Sequence, residues 1–150
     1  MSPPSQKRAA AASPVGYSGT PLPRKLGIKA GARLALIGAP EGFDATLGDI
    51  PDDVVVRRRL GREPFDVIVA FFPERSTLER RLSALAAALD PAGGLWIAWP
   101  KRASGVRTDL TDTVVRGLGV AAGLVDNKVC AIDPVWSGLR LVYRLRDRPR

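Results

Sequence analysis

Hydrophobic runs along the chain are short, and turn formers bound nearly all of them. Phe65–Phe71 (FDVIVAF) has Asp66 as its single polar position and is closed by Pro73, which predicts a strand buried on both faces. Arg33–Ile37 (RLALI) and Leu95–Trp99 (LWIAW) read the same way, and Val54–Val56 as a short β-branched strand. Between the last two long runs the period changes from two to about 3.6. Leu78, Leu82, Leu85 and Leu89 recur at helical spacing, with Ser76 and Glu79 placed as a capping box at the start. Asp90-Pro91-Ala92-Gly93-Gly94 stops that helix. A second helix begins near Thr108 or Asp109 and carries Leu110, Val114, Leu118 and Ala121 on one stripe. Short helical turns are expected around Leu22–Leu26 and Phe43–Gly48. Lys128–Ile132 and Leu139–Leu145 are the last strands. The segment between them, 133–138, is too short for a crossover helix, so they pair as an antiparallel hairpin. The expected fold is α/β: a mostly parallel sheet with a C-terminal antiparallel hairpin and helices covering its faces.

Composition narrows the chemistry. The 150 residues contain no histidine and one cysteine, Cys130. Ser-His-Asp catalysis, histidine general bases, an internal disulfide and cysteine-rich metal cages are thereby excluded. No metal is expected. Cys130 alternates with Val129 and Ala131 and reads as a buried thiol. No apolar run is long enough to span a bilayer, and the N-terminal segment lacks the apolar core of a signal peptide. A cytoplasmic protein with no membrane partner is expected. Residues 1–16, rich in Pro, Ala and Ser, read as a disordered tail. A single domain follows over 17–145, then a basic tail at 146–150.

The formal net charge is +8, yet residues 17–143 carry 17 basic side chains against 14 acidic ones. The excess therefore lies largely at the ends. This spacing argues against nucleic-acid binding by the folded core, and leaves a small anionic ligand or a protein partner.

Two resemblances rest on particular residues. Over Gly31–Tyr143 the element order resembles a shortened class I methyltransferase domain. AGARLALIGAPEG sits at its glycine-rich first loop, and FDVIVAF and LDPAGGLWIA at its fourth and fifth strands. The resemblance implies an acid two residues before the first glycine, where this chain has Leu36. Gly38 and Gly42 keep the outer glycines, and Pro40 replaces the middle one. The second strand, which in that family ends in an acid for the ribose hydroxyls, runs here into Arg57-Arg58-Arg59. No cofactor is therefore expected, S-adenosylmethionine included. Nearly the whole chain, through GYSGTPL, KLGIK, GAPEGF, WPK, DNKVCAID and WSGLR, is also similar to a family of short bacterial proteins. That second likeness implies no activity.

Candidate binding residues follow from the strand ends. Pro40, Pro73 and Pro100 close three strands whose C-terminal ends share one rim of a parallel sheet. Glu41, Arg75, Lys101 and Arg102 follow within two residues, and Ser104 and Arg107 extend the loop after WPK. They outline a basic rim for an anionic ligand. Lys101, directly after a buried strand, is the candidate base or nucleophile. Thr108–Thr111, with Asp109 and Asp112, read as a helix cap. Trp96 and Trp99, three apart, point to opposite faces of the sheet, and Trp136 is the aromatic expected at the surface. The leading expectation is a non-catalytic binding or regulatory module. The alternatives are a divergent transferase, methyltransferase-like or using Lys101, and an adaptor acting through its basic tails.

Overall fold

The computed structural model describes residues 19–144; the expected tails at 1–16 and 146–150, and the exact ends of the domain between them, lie outside these. The near-continuous apolar run of β3 (Phe65–Phe71) places it at the centre of the sheet, where neither face meets water. It pairs in parallel with β1 (Arg33–Ile37) on one side and β4 (Leu89–Pro100) on the other, with Ala70 opposite both Ile37 and Ile97. Beyond β1 lies the short parallel edge strand β2 (Val55–Arg57). Beyond β4 the expected hairpin forms from β5 (Leu124–Ala131) and β6 (Trp136–Tyr143). β6 inserts antiparallel beside β4, and the full order is β2-β1-β3-β4-β6-β5. The mixed α/β sheet is the expected one.

Alternation along the strands sorts the core into two layers. Leu34, Leu36, Val67, Val69 and Trp96 face one side, beneath α1 (Leu22–Lys25) and α2 (Phe43–Leu47). Ala35, Ile68, Ala70, Ile97 and Trp99 face the other, beneath α3 (Arg75–Ala87) and α4 (Asp112–Ala121). Trp96 and Trp99 thus lie in opposite layers, as their spacing required. The Trp96 indole N–H donates to the Leu26 carbonyl at 3.0 Å, which ties α1 to the sheet.

The helix starts differ from the sequence reading. Ser76 does not cap α3: the helix begins at Arg75, its N-cap position is Glu74, two residues before Ser76, and the side chain there makes no capping hydrogen bond. The Arg75 N–H donates instead to the Asp109 carboxylate at 2.7 Å, from the loop after β4. α4 starts at Asp112, with the Thr111 hydroxyl accepting from the Val114 N–H at 3.2 Å. Its buried stripe runs through Val115 and Gly119, while Val114 and Leu118 are half-buried and Ala121 is exposed. The cause is a close approach to β6. A Cβ on Gly119 would stand 2.7 Å from the Leu141 Cδ2, so only glycine lets the helix sit at that depth. Leu89 belongs to β4 rather than to α3. The 90–94 segment enters the sheet irregularly, with a register shift between Phe65 and Val67.

Candidate functional site

β1, β3 and β4 run parallel as neighbours, so Pro40, Pro73 and Pro100 do mark one rim. The chain leaves β1 through α2 on one face and leaves β3 through α3 on the other. The two exits therefore diverge between β1 and β3, the crevice position where ligands settle in open α/β sheets. Here Gly38 and Gly42 both hold left-handed backbone, with φ of +67° and +86°. The turn therefore survives with Pro40 between them. Gly38 passes so close to β3 that a Cβ would lie 3.1 Å from the Phe71 carbonyl oxygen. Below the rim, Phe71 meets the Phe43 ring edge-on at 4.9 Å and the Trp136 ring at 5.1 Å. Trp136 is accordingly half-buried against this row, not a free surface aromatic.

The expected rim residues divide into separate groups. Lys101, Arg102 and Arg107 line one groove of about 710 Å³ between the β4–α4 loop and the β5–β6 hairpin, with Trp99 and Leu110 also in its lining. None of these three cations has a side-chain hydrogen bond or ion pair among the described residues. Lys101 is half-buried, and its backbone N–H donates to the Val135 carbonyl at 2.7 Å. Ser104 shapes the loop: its hydroxyl donates to the Lys101 carbonyl at 2.6 Å and accepts from the Val106 N–H at 3.1 Å. Arg75 directs its guanidinium to Glu79 at 3.1 Å and is not among the residues lining that groove. Glu41 is exposed in the β1–α2 loop, beside the glycine turn.

Two latches fix the loops of this edge. The Thr108 hydroxyl donates to the Pro73 carbonyl at 2.6 Å, and Asp109 accepts from Arg75 as described. On the β2 side, the Arg58 guanidinium binds both Asp44 carboxylate oxygens, at 2.9 and 2.8 Å, and so joins the end of β2 to α2. Sequence reasoning missed a further groove of about 470 Å³ lined by Arg24, Lys25, Lys128 and Cys130. No local signal places α1 beside β5. Cys130 is half-buried there, not a sealed core thiol. Burial pushes its thiol above the ordinary value, and the smaller pull of Lys25, Lys128 and Lys101 opposes this. Among the described residues no cluster of three His, Cys, Asp or Glu side chains is placed to hold a metal. No helix among them is long and apolar enough to cross a membrane.

Neither a family model nor a curated protein matches the chain. Its fold does match solved structures, and the class they define is the methyltransferase-like α/β sheet. It is similar to the DhpI–SAH complex, with a TM-score of 0.57, 12% identity, and 87% of this chain and 83% of that one covered. A SAM-dependent methyltransferase from Aquifex aeolicus gives 0.56 and 14%, covering 79% and 85%. The magnesium protoporphyrin IX methyltransferase ChlM from Synechocystis PCC 6803, with bound SAM, gives 0.53 and 9%, covering 82% and 74%.

These neighbours correct one expectation. The absence of any cofactor, and of S-adenosylmethionine (SAM) in particular, does not stand against structures of this fold that hold SAM or SAH. The altered side chains at Leu36 and Pro40 weighed too heavily in the sequence, because the turn is a property of the backbone. The turn is compatible with such a group: Gly38 and Gly42 are exposed, an added Cβ at Gly42 would meet nothing within 4 Å, and Glu41 offers an exposed carboxylate. The end of β2 departs from the resemblance, presenting Arg57, Arg58 and Arg59 to solvent.

Proposed function

We propose that this chain is a divergent methyltransferase-like protein that seats S-adenosylmethionine across the ends of β1 and β3. The observation that carries the reading is the left-handed glycine turn at Gly38 and Gly42, set at the point where the two faces of the sheet diverge. At such a turn no side chain stands between the backbone and a ligand, so amide N–H groups can approach it closely. The Glu41 carboxylate is the acceptor offered to the ribose hydroxyls, in place of an acid on β2. The Arg58–Asp44 pair and the Thr108 and Asp109 latches hold the flanking loops in place. Solved structures of this fold that hold SAM or SAH support a ligand of this class.

Titration calorimetry of the full chain with S-adenosylmethionine and SAH tests the reading. Saturable binding of one ligand per chain is expected. Gly38→Val should abolish it, and Glu41→Gln, an exposed change, should weaken it several-fold without lowering the melting temperature. A cooperatively folded wild-type chain that binds neither ligand would overturn the proposal.

A further inference from the structure

The two basic grooves are halves of one feature. The groove at Lys101, Arg102 and Arg107 and the groove at Arg24, Lys25 and Lys128 share a single wall residue, Val129. Val129 lies on β5, the outermost strand of the sheet, so the grooves lie on either side of that edge. Six cations flank it, and Asp112 is the one acid in either lining. The described residues contain 18 Lys and Arg and 14 Asp and Glu. Outside the grooves 12 basic side chains face 13 acidic ones, so the excess positive charge of the described chain is gathered at this edge.

The cations are also available. The five ion pairs among the described residues use Arg33, Arg58, Arg75 and Arg116, none of the six. Among the described residues Lys25 and Lys128 donate to carbonyls, of Ala131 and Lys25 respectively, and to no carboxylate. Asp112 is within 3.9 Å of Arg116. Between the cations stand Val106 and Val129, 47% and 55% exposed, which give apolar surface amid the charge.

We propose that this edge binds a nucleic-acid strand, gripping its phosphates from both sides of β5 and laying its bases against Val106 and Val129. Each groove is far larger than one phosphate, which favours a polyanion over a single small anion. An acidic peptide added to the sheet as a further strand fits less well. The register shift between Asp126 and Lys128 in the β5–β6 pairing marks an irregularity in β5, and a bulged edge strand is a poor template for a further strand. Neither groove is lined by a residue of the Gly38–Gly42 turn, and the test does not depend on cofactor binding.

The experiment is fluorescence anisotropy of the full chain with a labelled, mixed-sequence, single-stranded 16-mer over a range of salt concentrations. Each phosphate neutralised on a single strand adds about −0.7 to the slope of log affinity against log salt, so five or six contacts give about −3.5 to −4.2. Lys101→Ala/Arg102→Ala/Arg107→Ala should weaken binding at least tenfold and flatten the slope by about 2. Arg24→Ala/Lys128→Ala should flatten it by about 1.4. Arg80→Ala/Arg81→Ala, on the exposed face of α3, should leave binding within twofold of the wild type. The two groove variants alter different elements, so either one that melts like the wild type carries the test. Unchanged binding in a folded groove variant would overturn the proposal, as would an equal loss in the α3 control. Displacement of the oligonucleotide by an equal concentration of a glutamate-rich peptide of the same charge would assign the edge to acidic peptides instead.

Discussion

Alanine at Gly38 and at Gly42 should damage the protein unequally, because only one of the two glycines is crowded. Both hold positive φ, which costs an alanine about 1–2 kcal/mol. At Gly42 nothing lies within 4 Å of an added Cβ, so that cost is the whole native-state effect. At Gly38 the new methyl meets the Phe71 carbonyl oxygen at 3.1 Å. That oxygen belongs to the central strand, so relief must come from bending the turn, and a bond-angle distortion of about 7° adds about 1 kcal/mol. Both variants gain about 0.4–1 kcal/mol from a stiffer unfolded chain, which cancels between them. Gly38→Ala should therefore be the less stable by about 1 kcal/mol, or about 2–4 °C in melting temperature for a chain of this size. Urea unfolding reads the difference from the midpoints, provided the slopes agree. Gly42→Asn should lose less than Gly42→Ala, since asparagine tolerates left-handed backbone. A loss in Gly42→Ala equal to or greater than that in Gly38→Ala would refute the placement of Gly38 against β3.

Two further outcomes follow from the loops and the edge strand. Asp109→Ala removes the acceptor for the Arg75 N–H and should cost about 0.5–2 kcal/mol, the usual worth of a helix cap. Asp109→Asn keeps an oxygen acceptor and should retain most of that stability; unaltered hydrogen exchange at the Arg75 amide in Asp109→Ala would show that the cap is not made. The Cys130 thiol is raised above its ordinary value of 9.0 by burial, so the unfolded chain loses that proton first. Its contribution to stability is complete below about pH 9 and is lost as the pH climbs through the higher folded value. Thermal melts from pH 8 upward should fall less steeply in Cys130→Ala than in the wild type, and parallel curves would count against the buried thiol.

The sequence by itself determined the frame of this protein. β1 and β3 stand where the apolar runs Arg33–Ile37 and Phe65–Phe71 put them, Pro40, Pro73 and Pro100 mark one rim, and the short 133–138 connection made the last strands a hairpin. Such features are legible because burial on two faces, strand termination and loop reach are properties of a few consecutive residues. Tertiary structure alone decided the rest. Asp109 caps a helix that begins 34 residues earlier in the chain, which no capping pattern around Ser76 can reveal. Leu141 set the face of α4 by occupying the space over Gly119. Of the expected rim residues, Lys101, Arg102 and Arg107 share a groove, whereas Arg75 pairs with Glu79 within α3 and Ser104 shapes the loop after β4. The near-even charge of residues 17–143 hid the basic edge, because Coulomb interactions follow distance in space rather than order in the chain. Folding brings Arg24 and Lys25 of α1 beside Lys128 of β5, and Val129 joins their groove to that of Lys101, Arg102 and Arg107.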